Sequence, residues 1–263
     1  MNKSVWNKSE MSLLEKLTSL KKAGKKSFAV LLDPDNLNAE SARKIGHYAV
    51  ESKVDFFFIG GSLLINEAFN EIIALIKSET SIPVIIFPGS NLQISSQADA
   101  LLFLSLISGR NPEYLIGQHV VAAPLLKRSN LEVLSTGYIL IDCGKPTTAS
   151  YMSNTTPIPY DKPAVAACTA LAGEMLGLKL IYLDGGSGAM KPISTEMIAE
   201  VCATVKTPII VGGGINTPEE AKCALKAGAD LIVVGNALEK NPSLLVEIAE
   251  CVEQENNRVN AAR

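Results

Sequence analysis

Residues 178–188 read LKLIYLDGGSG, residues 208–216 read PIIVGGGIN and residues 231–236 read LIVVGN. Each is a short run of branched apolar residues that ends on glycine. A run that is apolar at nearly every position fits a parallel strand buried on both faces, not the alternating pattern of a half-solvated antiparallel one. Glycines directly after the strand carry no Cβ, so backbone N–H groups can approach an anion closely. One such turn is weak evidence, since glycine also makes tight turns. Three in succession, each straight after a strand, match the phosphate site that recurs after the last strands of (β/α)8 barrels.

Working outward from these three, five more runs of the same kind precede them: Phe28–Leu32, Val54–Ile59, Pro83–Phe87, Ala100–Leu106 and Gly137–Ile141. Helical spacing of apolar residues fills most of the gaps, as at Leu14, Leu17 and Leu20 or Ile72, Ile73 and Ile76. Asn38 precedes a helix through Ala39–Val50, and Thr217-Pro218-Glu219-Glu220 supplies a cap, a first-turn proline and two early acids. Ala227-Gly228 closes that helix on glycine. Strand and helix alternating eight times without a long polar linker predicts an α/β protein, a (β/α)8 TIM barrel spanning residues 1–263 as one domain. An open doubly wound sheet is the alternative. Two segments exceed a minimal barrel. Asn2–Lys22 reads as an extra helix before the first strand. Cys143–Asp161, CGKPTTASYMSNTTPIPYD, is a long loop after strand five, of the length and composition of an active-site lid.

Composition excludes several classes. The formal net charge of −3 offers no general basic surface for nucleic acid, and no block of like charge suggests a polyanion-binding tail. The longest apolar runs, Phe56–Ile59 and Leu101–Leu106, fall far below the roughly 20 residues of a membrane span. MNKSVWNKSE at the start lacks a signal peptide's apolar region, which leads us to expect a cytoplasmic protein. Cys143, Cys168, Cys202, Cys223 and Cys251 are odd in number and scattered, as expected of reduced, buried thiols. Two histidines, His47 and His119, are too few for a His-rich metal site.

In this architecture working residues sit at the C-terminal ends of the strands. Strand one ends in Leu32-Asp33-Pro34-Asp35 and strand two in Gly60-Gly61-Ser62. Asp33 with Ser62 makes a hard-oxygen set of the kind that holds Mg²⁺ when phosphate oxygens complete the shell. The competing reading has Asp33 and Asp35 shape a proline turn and cap a helix. Asp184, the acid of the strand-six loop, is the candidate base, although Asp before two glycines also serves simply as a turn residue. His119 reads as a helix or loop residue with a satisfied hydrogen bond. Phe56, Phe57, Phe58, Phe87 and Phe103, on or near strands two to four, are either core or the lining of an apolar groove.

These motifs in this order resemble those of the geranylgeranylglyceryl phosphate synthases, the prenyltransferases that make the first ether bond of archaeal-type lipids. The likeness runs from about residue 28 to 240 through Leu32–Asp35, Phe58–Ser62, Phe87-Pro88-Gly89-Ser90, Tyr182–Gly188, Val211–Ile215 and Gly235-Asn236. Gly137-Tyr138-Ile139 and Pro157-Ile158-Pro159 match the family's middle region. The resemblance implies transfer of a polyprenyl group, geranylgeranyl being the expected one, from its diphosphate to the C3 hydroxyl of sn-glycerol 1-phosphate. It places the phosphate on Tyr182, Ser187, Gly188, Gly213, Gly214, Gly235 and Asn236, with Leu183, Asp184, Gly185 and Gly186 in the same substrate-binding loop. It makes Asp33 and Ser62 the Mg²⁺ ligands and Asp184 the catalytic acid-base group. A homo-oligomer and transient membrane contact through the lipid product also follow from it. One departure is Asp184 itself, where many members carry Glu, one methylene longer.

The nearest rival is a sugar-phosphate isomerase or lyase on the same scaffold. Such enzymes usually need a further acid, base or Schiff-base lysine inside the barrel, and here Lys145 lies in the loop after strand five. A barrel that only binds phosphate ligands or an assembly partner is the non-enzymatic alternative.

Overall fold

The computed structural model describes residues 11–261 apart from 236, 237, 239, 240 and 242. Its eight strands are β1 (Ser27–Leu32), β2 (Phe56–Ile59), β3 (Val84–Ile86), β4 (Ala100–Leu106), β5 (Glu132–Leu140), β6 (Leu180–Asp184), β7 (Ile209–Gly212) and β8 (Leu231–Val234). They pair in parallel in sequence order, and β8 returns to β1 through Ser27–Leu231 to Val30–Val234, which closes the barrel. The described α-helices are α1 (Leu13–Lys22), α2 (Ala39–Glu51), α3 (Phe69–Glu79), α4 (Gln118–Arg128), α5 (Thr148–Ser153), α6 (Pro163–Met175), α7 (Thr195–Thr204), α8 (Pro218–Ala227) and α9 (Leu244–Ala261).

Successive strand residues point to opposite faces. Ala29, Phe56, Phe58, Ile85, Leu102, Leu134, Tyr138, Leu180, Tyr182 and Ile210 fill the barrel interior. Their neighbours Phe28, Val30, Phe57, Ile59, Ile139, Ile181, Leu183 and Val211 pack against the helices. Burial of each large apolar side chain on either face contributes roughly 1.5–3 kcal/mol, and this double burial is why the strands read as unbroken apolar runs. The extra helix begins at Leu13, capped by Ser12 and Glu15 in a capping box. Its Leu17 packs onto the interior cluster, and the backbone N–H groups of Leu13 and Leu14 donate to the Glu132 carboxylate at 2.7 and 2.9 Å. Glu132 opens β5, so α1 seals the N-terminal end of the barrel.

Three expectations need correction. Helix and strand do not alternate throughout: the connection from β3 to β4, residues 87–99, holds turns and no helix. The expected fifth strand began at Gly137, but β5 starts five residues earlier, where Glu132–Thr136 pair with Ala100–Leu104 despite their polar members. Only Cys143 and Cys251 are buried thiols. Cys202 is partly buried, Cys168 and Cys223 are exposed, and all are free. Among the described residues no helix is long and apolar enough to cross a membrane.

Candidate active site

The C-terminal ends of the strands open into one cavity of about 270 Å³. It is bounded by Asp33 after β1, Gly60–Leu63 after β2, Phe87–Asn91 after β3, the loops after β6 and β7, and Gly235 after β8. An apolar limb runs outward between β4 and α4, past Leu101, Phe103, Ala122 and Leu126. It lies beside the β3–β4 connection, which carries no helix. The volume is near the lower end of ordinary ligand sites, roughly 300–1,000 Å³, so a long tail has to follow the open limb.

Asp184 is the last residue of β6 and points inward with Tyr182, two residues before it. It is 6 % exposed. One carboxylate oxygen accepts the Gly186 N–H at 2.7 Å, and the other accepts a short hydrogen bond from the Tyr138 hydroxyl. Burial raises its pKa above the usual carboxylate range, and these two donors offset part of that shift. Tyr138 comes from β5, 46 residues away, and the register Tyr138–Tyr182 and Leu140–Asp184 brings them together. Tyr138 was not among the expected site residues. Its only signal in the sequence is its place on the inward face of a strand.

Tyr182 is buried with its ring stacked on Phe87, centroids 5.1 Å apart, and edge-on to Tyr138 at 5.6 Å. Its hydroxyl lies over Gly212, where an added Cβ would come within 2.5 Å of it. Gly188, Gly213 and Gly214 line the cavity with positive φ of 68°, 82° and 74°. At Gly213 a Cβ would stand 2.7 Å from the Gly185 nitrogen and 2.8 Å from an Asp184 oxygen, so neither backbone angle nor space admits a side chain. Ser187 and Gly235 line the same wall. The Lys145 ammonium approaches Gly188, 3.1 Å from where a Cβ would be.

Not every residue of the expected substrate-binding set reaches this wall. Leu183 is fully buried on the helix-facing side of β6, because alternation turns it away from the cavity. Gly185 does not line it either: its N–H is taken by the Gly212 carbonyl at 3.0 Å. Gly186 lines the cavity, but its N–H is committed to Asp184. Asn236 and the start of the helix expected after β8 lie outside the described residues.

Asp33 and Ser62 both line the cavity. Asp33 accepts the Asp35 N–H at 3.1 Å and the Asn36 side-chain amide at 3.2 Å, so it also caps the 3₁₀ turn Pro34–Asn36. Desolvation raises its pKa. The Asp35 carboxylate is engaged elsewhere: it receives the Ile65 and Asn66 N–H groups at 2.7 and 2.9 Å and ties the first loop to the second. Among the described residues no group of three acids, histidines or cysteines gathers. One half-buried carboxylate and one hydroxyl fit Mg²⁺ where substrate oxygens supply the rest of the shell.

Of the five phenylalanines, Phe56, Phe57 and Phe58 are fully buried core, whereas Phe87 and Phe103 line the cavity. His119, in α4, meets Phe103 edge-on at 4.4 Å between centroids. As expected of a helix residue with a satisfied hydrogen bond, the imidazole bonds to the Leu104 backbone, while its Nδ1 has no partner among the described residues and burial lowers its pKa. The long loop after β5 is ordered around α5, begun by a Thr147–Ser150 capping box, and Thr148, Ala149, Met152 and Ser153 roof the cavity. Among the described residues no lysine is part of its lining, although the Lys145 ammonium reaches Gly188, which is.

Known proteins resemble this chain in sequence and in fold. A geranylgeranylglyceryl phosphate synthase of Spirosoma linguale is 57 % identical over 92 % of this chain and 98 % of its own length. One from Chitinophaga pinensis is 57 % identical over 88 % of this chain and 92 % of its own. The crystal structure of (S)-3-O-geranylgeranylglyceryl phosphate synthase from Thermoplasma acidophilum, solved with its substrate sn-glycerol-1-phosphate, superposes with a TM-score of 0.87. It is 35 % identical and covers 93 % of this chain and all of that one. Residues 21–253, from before β1 into α9, match the PcrB family, and the chain belongs to that family.

Proposed function

We propose that this protein is a prenyltransferase that joins a polyprenyl diphosphate, geranylgeranyl being the donor we favour, to the C3 hydroxyl of sn-glycerol 1-phosphate. The observation that carries this reading is one buried carboxylate, Asp184, between a glycine-lined wall and an apolar limb of the same cavity. A polar phosphate and a hydrocarbon tail meet at that acid and nowhere else among the described residues. The backbone N–H groups of Gly188, Gly213 and Gly214 hold the phosphate, with Ser187, Tyr182 and the Lys145 ammonium beside it. The tail lies along Phe103, Ala122 and Leu126.

The new bond forms between the glycerol C3 oxygen and the allylic C1 as the bond from C1 to diphosphate breaks. Asp184 takes the hydroxyl proton, and its negative charge favours the allylic cation in a site screened from water. The Tyr138 hydroxyl orients the carboxylate. Asp33 and Ser62 would hold Mg²⁺ together with diphosphate oxygens, and the metal would supply charge neutralisation for the leaving group. The same reading carries self-association, which the exposed apolar residues Val120, Val121 and Leu125 of α4, with Ile116 just before it, support. It also carries a cytoplasmic location.

The test incubates purified protein with radiolabelled sn-glycerol 1-phosphate, geranylgeranyl diphosphate and Mg²⁺, with sn-glycerol 3-phosphate and EDTA as controls. Label passing into the organic phase only with the 1-phosphate and metal is expected. No transfer from any polyprenyl donor, with isomerisation of a sugar phosphate instead, would overturn the reading in favour of the rival.

A further inference from the structure

The loops around the cavity mouth end in apolar side chains that no described residue covers. Ile65 after β2 is 81 % exposed and Leu92 after β3 is 88 % exposed. Tyr151 in α5 and Met190 after β6 are also largely exposed. Each sits one or two residues from a cavity-lining position: Leu63, Asn91, Met152 and Ala189. Four segments far apart in sequence thus present apolar tips at the rim of one opening. Scattered surface hydrophobics are ordinary, but a set ringing a single mouth is not.

We infer that this rim inserts into the surface of a lipid bilayer and collects the prenyl donor directly from it, an inference that rests on the prenyl-transfer reading above. Two arguments choose a bilayer over a protein. The rim surrounds the way into the cavity, so a second copy or a protein partner seated on it would close off substrate, whereas a membrane delivers it. The apolar limb also needs a ligand whose tail partitions into lipid, and release of such a tail into water before capture would be slow. Charge is not the driving force. Lys145 and Lys191 stand near the rim, but so do Asp35 and Glu67, which leaves apolar insertion as the attraction.

The experiment is flotation of the full-length protein with phosphatidylcholine vesicles at low and high salt. It is run for wild type and for a triple variant, Ile65→Ser, Leu92→Ser and Met190→Ser, none of which lines the cavity. Wild type floats at both salt concentrations, and the variant's bound fraction falls at least about tenfold with an unchanged melting temperature. Turnover of a short donor dispersed without vesicles stays at the wild-type level in the variant, while turnover of vesicle-borne geranylgeranyl diphosphate drops. Equal flotation of both proteins, no flotation of wild type, or release by salt overturns the inference. So does a triple variant that elutes as a smaller species in gel filtration, since the rim is then a contact between copies. Loss of turnover with every donor in wild type, with flotation intact, strikes the prenyl-transfer reading and leaves the docking surface standing.

Discussion

Asp184 is costly to keep ionised. A carboxyl whose folded pKa lies above its ordinary value gives stability that is full below the ordinary pKa and is lost as pH rises through the folded one. At neutral pH the buried charge therefore weighs against the fold. Asp184→Asn keeps an acceptor for the Gly186 N–H and removes the charge. We expect turnover to fall by about 10²–10⁴-fold, while the melting temperature rises above wild type at pH 7 and the gap closes toward acid pH. Thermal melts across pH read this directly, and a gap independent of pH would remove the electrostatic explanation. Tyr138→Phe tests the other side of the pair. Loss of the donor to the carboxylate raises its pKa further, so the acidic limb of the kcat/KM profile should move to higher pH, with the alkaline side little changed. Asp184 was legible in the sequence because it ends a strand next to glycines. Tyr138 was not, because only the β5–β6 register puts its hydroxyl on a carboxylate 46 residues on. The same gap separates Asp33 from Asp35: two residues apart in sequence and chemically alike, they differ only in what the fold gives each to bind.

At the scale of single elements, strand interiors were readable and their ends less so. β4 and β8 match their expected bounds because continuous branched apolar residues stop sharply at both ends. β5 was read short because Glu132, Ser135 and Thr136 interrupt its apolar run. Those residues are a strand by virtue of pairing with β4, a tertiary cause that no local pattern reports. Leu183 does not reach the cavity, although the motif carried it into the expected site: strand alternation persists through Asp184 and turns Leu183 outward. The turn after β7 is the element where conformation and chemistry coincide. Gly213→Ala forces a side chain onto φ +82° and into the Gly185 nitrogen and the Asp184 oxygen. We expect a loss of about 1–3 kcal/mol and a raised KM for the glycerol phosphate, since the loop moves away from the phosphate wall. A urea midpoint and a KM measured on the same preparation check both halves. A destabilised protein with an unchanged KM would place the phosphate elsewhere.

Across the whole molecule the barrel divides its labour between two ends. The mouth holds Asp33, Asp184 and the glycine turns, with side chains kept in costly states by burial or tight backbone. The opposite end is closed by α1, whose Leu17 enters the interior cluster and whose first turn is held by Glu132. In barrels of this kind the N-terminal face serves stability and the C-terminal face serves chemistry. Glu132→Ala separates the two. The carboxylate accepts two N–H groups at a helix start, where a negative charge also meets the favourable end of the helix dipole. Its loss should lower stability by about 1–3 kcal/mol. Because those bonds lie a strand's length from the mouth, KM for both substrates and kcat at a temperature well below the melt should stay within about twofold of wild type, as for independent sites. Chemical denaturation and steady-state kinetics measure the two quantities. A drop in kcat with no loss of stability would mean that α1 couples to the site and that the plug is part of the catalytic machinery.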